Sequence, residues 1–332
     1  MDTLSQLLAE LRVASALHCR IAVGAGSGVA YPSLGAAGFH VLLAGAAVLE
    51  LADGERRALA PGDLVILPHG DAHRLLAAPL PPSGGRAAAV PSIDAVVARA
   101  ADGVATVGDG AEAARWLCGA FRFATAADHP LLSALPRVLH VPAVAGGEAS
   151  GADGGGAGGR AELPWLRAHL DMVACEARSG RPGAEVVIAR LTEVLFVQAI
   201  RAELAELPPD ARGWLGALRD PELARAVGAI HRHPERPWTV ATLAREAGMS
   251  RSRFAERFAA VLGRPPLAYL AAWRMHRGRA LLREGALRVG EVARRVGYGS
   301  EAAFSTAFRR AAGVAPATYR RATGEATVGR PR

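Results

Sequence analysis

The stretch from Trp238 to Tyr319 is written twice, and this repeat limits the C-terminal third of the chain to a duplicated helical unit. The first copy reads Leu243-Ala244-Arg245, Gly248-Met249, Phe254, Phe258, Gly263, Pro266 and Tyr269. The second reads Val292-Ala293-Arg294, Gly297-Tyr298, Phe304, Phe308, Gly313, Pro316 and Tyr319. Matching residues lie 49 apart before the turn and 50 apart after it, so one residue is added at Gly299 or Ser300 and the register otherwise holds. Self-similarity at a fixed period marks a repeated supersecondary unit.

Each copy carries the signals of two helices joined by a tight turn. In the first, Thr239 is placed to cap a helix whose apolar positions Val240, Leu243, Ala244 and Ala247 fall at helical spacing. Gly248 ends it, because a residue without Cβ takes the left-handed conformation cheaply. Ser250 is placed to cap the next helix, where Phe254 and Phe258 sit one turn apart and face inward. The second copy repeats this with Gly297 as stop, Ser300 as cap, and Phe304 and Phe308 as the inward pair. Such helix-turn-helix units place their second helix in a DNA major groove. At 100° per residue, Ser252, Ala255 and Glu256 point outward from the first recognition helix, and Ala302, Ser305 and Thr306 from the second. Arg251, Arg253 and Arg257 flank the first face and Arg309 and Arg310 the second, as residues suited to phosphates; Ser300 and Glu301 open the second helix on the same side. Between the copies, Pro266 to Arg283 reads as one helix with Leu267, Leu270, Ala271, Trp273 and Leu281 on its apolar side. That spacer would set the two recognition helices about one turn of duplex apart. The plainer alternative is a helical scaffold with a solvated basic face, but repeat, turn chemistry and charge agree on DNA binding.

The block from Arg274 through Leu282, with Val289-Gly290-Glu291-Val292-Ala293, Gly297-Tyr298, Phe304, Phe308 and Gly313-Val314-Ala315-Pro316, resembles the signature of the AraC/XylS transcription regulators. The likeness runs without a gap over roughly the last hundred residues. It implies sequence-specific binding to double-stranded DNA, with base contacts at Ser252, Ala255, Glu256, Ala302, Ser305 and Thr306. It also implies RNA polymerase as a partner where the output is activation.

Charge divides the chain in the same place. Residues 220 to 332 hold 21 Arg against 9 acidic residues, a net of +12, whereas residues 1 to 219 carry a net of −4. A basic half joined to a slightly acidic one is the electrostatic footprint of a nucleic-acid-binding domain attached to something else. A length of 332 residues suits two domains. Three cysteines, an odd number, argue against a disulfide-stapled secreted protein and for a cytoplasmic one. The chain shows no leader pattern and no apolar run of the ~18 residues a membrane span requires, so a soluble protein with no membrane partner is expected.

The N-terminal half changes period. Residues 3 to 11 read as a short amphipathic helix. Then come β-like runs broken by Gly and Pro: Cys19–Val23, Phe39–Leu43, Ala47–Leu51 and Leu64–Leu67, with Asp53-Gly54 as a hairpin signal. Closely spaced strands of this kind favour a small antiparallel barrel or sandwich. Gly62, Pro68, Gly70 and His73 resemble the second motif of the cupin barrels, which aims a His inward. The first cupin motif is partial: Gly38 and His40 are present, but Leu42 stands where a second His would be. His40 and His73 are therefore candidates for an effector pocket, and a poor set for a metal, which usually wants three protein ligands at a catalytic site. His18 and His69 are further candidates. No cofactor is expected.

Residues 80 to 113 read as a long Ala-, Gly- and Pro-rich loop, the strand signal returns at Trp116–Phe123, and Leu131–Val141 adds a short apolar element. Helices are expected over 163–178 and 184–207, and the second has apolar residues enough for its own domain and for a homodimer seam. Asp220 and Pro221 read as the cap and first residue of the DNA-binding domain's first helix. The expected organisation is a cupin-like sensor domain over 1–145, a flexible Gly-rich insertion over 146–160, and a helical pair over 161–208. A linker over 209–219, the DNA-binding domain over 220–322 and a disordered tail over 323–332 complete it. The fold class is α+β in two domains: a cupin-like β-barrel with helices, then an all-α domain of two helix-turn-helix units joined by a long helix.

Cys19 and Cys118 both fall in expected strands, whereas Cys175 lies on the apolar side of a helix and reads as packing. Some AraC-type regulators with cupin-like N-terminal domains are similar to this chain and use paired cysteines as oxidant sensors. Arg20 would stabilise a thiolate at Cys19; the plainer reading is core filling. The expected function is a DNA-binding transcription regulator, not an enzyme. Its cupin-like domain would sense a small molecule or oxidant through His40 and His73 or Cys19 and Cys118. The alternative is a metal-dependent cupin enzyme carrying an auxiliary DNA-binding domain.

Overall fold

The computed structural model describes residues 13–142 and 164–328, except 34–35, 81–89, 101–103, 124–129, 180 and 209, together with positions 4, 5, 8 and 11. Two compact units result. One is Arg12–Ala126 with Leu135–Glu206; the other is Leu207–Arg332 with Met1–Leu11 and Ala127–Ala134.

In the first unit, short strands form two sheets. The strands are β1 (Val13–Gly24), β2 (Gly28–Tyr31), β3 (Ala37–Gly45), β4 (Ala47–Leu51), β5 (Arg56–Leu59), β6 (Leu64–Leu67), β7 (His73–Ala77), β8 (Val104–Val107), β9 (Glu112–Phe123) and β10 (Leu139–Val141). They order as β10-β6-β3-β9-β1-β8 and β2-β7-β4-β5. Several of them, β3, β6 and much of β9, are buried on both faces. Pairing is antiparallel except between β1 and β8. One core joins both sheets: Ile21, Leu42, Val65 and Trp116 from the larger, Val29, Leu49, Leu75 and Ala77 from the smaller, each fully or almost fully buried. Each buried aliphatic side chain of this size contributes about 1.5–3 kcal/mol, the driving force that closes the sandwich. Gly45 ends β3 where only glycine fits: φ is +76° and a Cβ would lie 1.9 Å from the Ala113 carbonyl oxygen.

The loop expected over 80–113 is interrupted by structure. Helix α1 (Ile93–Val97) is capped by Ser92, whose Oγ accepts from Ala95 N at 3.4 Å, and β8 follows. Five and four residues are too few for a period to emerge from an Ala-rich background, which is why sequence pattern misses them. Helices α3 (Pro164–Ser179) and α4 (Ala184–Glu206) complete the unit, whereas α2 (Pro130–Ala134) belongs to the other. On α4 the inward face is Ile188, Leu195, Phe196, Ala199 and Ile200, with Phe196 against Phe121 and Phe123 at 5.0 and 5.3 Å between ring centroids. Cys175 is exposed rather than packed. The buried side of α3 is set by Leu170 and Val173, and two residues beyond Val173 is about 200° around the helix. The Gly-rich insertion over 146–160 lies outside the described residues.

The second unit begins earlier than the sequence suggests. The expected linker over 209–219 contains α5 (Gly213–Arg219), with Trp214, Leu215 and Ala217 buried and Trp214 Nε1 donating to Tyr269 Oη at 2.7 Å. Helix α2 (Pro130–Ala134) packs on α5 in this unit. Then come α6 (Pro221–Arg232), α7 (Val240–Ala247), α8 (Arg251–Leu262), α9 (Pro266–Glu284), α10 (Val289–Arg295), α11 (Glu301–Ala312) and α12 (Pro316–Val328). Helix α12 runs six residues into the tail expected to be disordered, carried by Ala322 and Ala326 in a segment without Pro. Among the described residues, no helix is long and apolar enough to cross a membrane.

The repeat holds down to ring geometry. Phe254 and Phe258 lie 5.3 Å apart with Tyr269 edge-on to Phe258 at 5.6 Å; Phe304 and Phe308 lie 5.4 Å apart with Tyr319 edge-on to Phe308 at 5.4 Å. All four Phe residues are fully buried. Most cap signals are realised: Thr239 and Thr242 form a reciprocal capping box, Ser300 Oγ accepts from Ala303 N at 3.2 Å, and Asp220 accepts from Glu222 N and Leu223 N. Ser250 departs from expectation, since its side chain makes no cap hydrogen bond.

Candidate functional site

Helices α8 and α11 present the two expected recognition faces. Arg251, Ser252, Arg253, Glu256 and Arg257 are exposed on α8 and Ala255 is half-buried. On α11, Glu301, Ala302, Thr306, Arg309 and Arg310 are exposed, as is Ser300 before it, and Ser305 is half-buried. Each helix starts after a serine and ends on a left-handed glycine, Gly263 at φ +70° and Gly313 at +76°, so both faces have the same length. Thr306 Oγ1 donates to Ala302 O at 3.0 Å, which leaves its oxygen lone pairs outward.

One expected phosphate ligand is otherwise engaged. Arg257 Nε donates to Asp220 Oδ2 at 2.7 Å, and Asp220 is also the cap of α6. Arg257 therefore fastens α8 to the start of α6. Arg253 lies 3.8 Å from Glu222, a looser pairing that leaves it 63% exposed. Sequence reasoning also missed the role of Arg274, on the spacer helix α9, which donates to Pro234 O at 2.7 Å and Arg236 O at 2.8 Å and so ties α9 to the loop between α6 and α7. Its carbonyl partners carry no sequence signal.

The N-terminal unit brings His40 and His73 together from different sheets. Their Nε2 atoms are 2.7 Å apart and both residues are buried. His73 Nδ1 lies 2.7 Å from the Asp71 carbonyl oxygen, which can only accept, so Nδ1 carries the hydrogen and His40 Nε2 donates to His73 Nε2. Burial holds the His73 imidazole below its usual range, against the Asp71 carbonyl, which favours the charged form. Tyr31 completes the group: it stacks on His73 at 4.7 Å and 6°, meets His40 edge-on at 4.5 Å, and accepts from Trp116 Nε1 at 3.0 Å. Nothing in the sequence links residue 31 to these histidines; the strand pairing Tyr31↔His73 does. His69 turns elsewhere, its Nε2 3.0 Å from Leu135 O.

The donor set does not fit a resident cupin metal. Leu42 is buried in the apolar core where a second ligand would stand, and the two imidazoles bond to each other. Among the described residues, no group of three or more His, Cys, Asp or Glu is arranged to hold an ion.

Cys118 is buried at 1% exposure. Strand register sets it opposite Cys19 on one side and His40 on the other, beside an irregularity in β1 between Leu17 and Cys19.

A cupin domain ahead of two helix-turn-helix units defines a class: a transcription regulator with a cupin domain and a DNA-binding domain on one chain. Sequence comparison agrees on both parts. Residues 2–154 and 156–205 match the family described as Cupin, and residues 243–322 match the helix-turn-helix domain family. The chain is 34% identical over 325 residues to an AraC-like transcription regulator of Streptomyces antibioticus, covering 97% of this chain and 99% of that protein. It is 33% identical over 297 residues to the HTH-type transcriptional regulator AlkR of Acinetobacter baylyi, covering 85% and 86%. It is 29% identical over 282 residues to the RCS-specific HTH-type transcriptional activator RclR of Escherichia coli, covering 85% and 83%. The chain belongs to the AraC-like transcription regulators. It binds double-stranded DNA through its C-terminal unit.

Proposed function

We propose that the cupin domain receives an oxidant or small-molecule signal and thereby modulates DNA binding by the double helix-turn-helix unit of a cytoplasmic homodimer. In this reading, Ser252, Ala255 and Glu256 on α8 and Ala302, Ser305 and Thr306 on α11 face base edges. Arg251, Arg253, Arg309 and Arg310 hold phosphates, with Ser300 and Glu301 at the entry of α11. The protein is a regulator and not a cupin enzyme, which accords with the incomplete donor set. RNA polymerase is its partner as an activator; the Escherichia coli relative is named as one.

The observation that carries the input reading is a single row across the larger sheet. It runs His140, Val65, His40, Cys118, Cys19. Directly opposed residues in antiparallel strands have Cα atoms about 4.5–5.5 Å apart, within the ~4.4–6.8 Å that a disulfide spans. Attack of one thiolate on a peroxide gives a sulfenic acid and releases an alcohol or water. The second thiol then displaces water to form the disulfide. Burial of Cys118 suits it to the second, resolving role. A small molecule seated at His40 and His73 would act on the same row.

The test is the affinity of full-length protein for its own upstream DNA, reduced and after mild peroxide, with wild type beside Cys19→Ser and Cys118→Ser. A shift confined to wild type supports the thiol switch. An equal shift in all three removes the cysteines from the input.

A further inference from the structure

Helix α2 is separated from the cupin unit by one peptide bond. Residues Ala127–Ala134 belong to the DNA-binding unit, whereas Leu135–Glu206 belong to the cupin unit. Leu131 and Leu132 of α2 are buried, and the helix packs on α5. Helix α5 in turn packs on α8, the first recognition helix, and its Trp214 donates to Tyr269, whose ring meets Phe258 of α8 edge-on. A five-residue helix that lies in sequence between β9 and β10 is thus part of the unit that holds the recognition helices.

The chain that follows α2 is fastened to one turn of the cupin unit. Leu135 O accepts from His69 Nε2 at 3.0 Å, and Arg137 Nε donates to Asp71 Oδ2 at 3.5 Å. Arg137 also pairs with Asp53 in the β4–β5 hairpin. His69 and Asp71 lie between β6 and β7, in the turn that positions His73, because the Asp71 carbonyl accepts from His73 Nδ1 at 2.7 Å. Pro136 stands between the two ties and has a fixed φ, so the segment has little slack. Two residues beyond Arg137, β10 pairs with β6 itself. Apolar packing on α5 explains the buried leucines. It does not explain why the polar ties of the next three residues run to the turn beside the buried histidine pair, since His69 and Arg137 are exposed and water could satisfy both.

We propose that residues 130–137 are a strap that couples the His40–His73 site to the first recognition helix. This inference rests on the reading of the cupin domain as the input, and it names the segment that carries the signal. A bound molecule that displaces His73 moves the turn at 68–72. Leu135 and Arg137 follow that turn, and α2 shifts against α5 and so against α8. Two sites that bias one element affect each other equally, so DNA on α8 also steadies the His73 turn.

The experiment is hydrogen–deuterium exchange of full-length protein, free and saturated with a duplex of its own upstream DNA, read by mass spectrometry in peptides spanning 68–73 and 130–137. Neither segment carries a residue of the recognition faces. In wild type, DNA slows exchange in both by about fivefold or more, the lower end of ordinary coupling factors. In His69→Ala with Arg137→Ala, both exposed positions, the slowing at 68–73 disappears while the duplex stays bound and the melting curve is unchanged. Leu132→Ala loosens the other end of the strap and lowers the same response; it carries the test if the double variant melts early. Slowing confined to the helix-turn-helix units in wild type, or undiminished slowing at 68–73 in the folded variants, would overturn the strap. A wild-type DNA affinity unmoved by peroxide, together with DNA-linked slowing at 68–73, would instead sink the oxidant input and leave the coupling in place.

Discussion

At the scale of the residue, the His40–His73 pair makes stability depend on pH. His73 is held below its ordinary value by burial, the largest cause, and its ordinary value is 6.5. The unfolded chain therefore binds a proton near that pH that the folded chain does not, so stability rises with pH. The contribution is present in full above 6.5 and is lost as pH falls through and below it. Melting of the N-terminal unit followed by circular dichroism is expected to be flat from pH 7 to 8 and to decline towards pH 5. His73→Gln should flatten the decline; an identical decline in that variant would assign it to another group. The recognition faces separate in the same way. Arg251→Ala or Arg309→Ala should weaken binding to all DNA sequences alike and lower the salt slope by about one each, whereas Glu256→Ala or Thr306→Ala should change preference at a single base position. A changed base preference at constant salt slope for either arginine would reverse its assignment. Arg257→Ala is expected to leave the salt slope nearly unchanged and lower the melting temperature, because its partner is Asp220.

At the scale of the element, the turn within a helix-turn-helix unit and the turn that ends a recognition helix differ in how much space they leave, as Gly297 and Gly263 show. Gly263 has φ +70° with nothing near a would-be Cβ, so Gly263→Ala costs only the left-handed backbone, roughly 1–2 kcal/mol. Gly297 has φ +86°, and there a Cβ would lie 2.6 Å from the Arg274 guanidinium and 2.7–2.8 Å from Pro234 O and Glu235 Cα. Gly297→Ala should therefore cost more than Gly263→Ala in urea unfolding of the C-terminal unit; equal costs would show that the backbone yields freely. The glycine stops, the inward Phe pairs and the helix spans were legible because they depend on local chemistry repeated at one period. Arg257 and Arg274 were not, since their partners are 37 and 40 residues away and have no pattern of their own. In the cupin domain, His40 and His73 could be picked out by motif, but Tyr31 required the pairing of β2 with β7. Helix α1 and strand β8 were hidden by their shortness, and α5 by the prolines before it.

At the scale of the whole molecule, the uneven charge and the surface of α4 bear on assembly. Helix α4 has an apolar inward face, yet Val186, Val187 and Val194 are also 65%, 45% and 39% exposed, and Met172 on α3 is 46% exposed. Val187 and Val194 are seven residues apart and so share one face, the spacing of a helix-to-helix seam. In the proposed homodimer a second copy of this chain would supply the same spacing by two-fold symmetry, and two copies would carry four recognition helices to paired half-sites. Val187→Glu with Val194→Glu puts four carboxylates into that seam and leaves the inward face untouched. Sedimentation at micromolar concentration should show wild type as a dimer and the double variant as a monomer. The variant should protect half the length of DNA and lose affinity, because the second site is no longer bound at the high effective concentration that linkage provides. A monomeric wild type would remove the seam. A dimeric variant would place it on another face of the cupin unit.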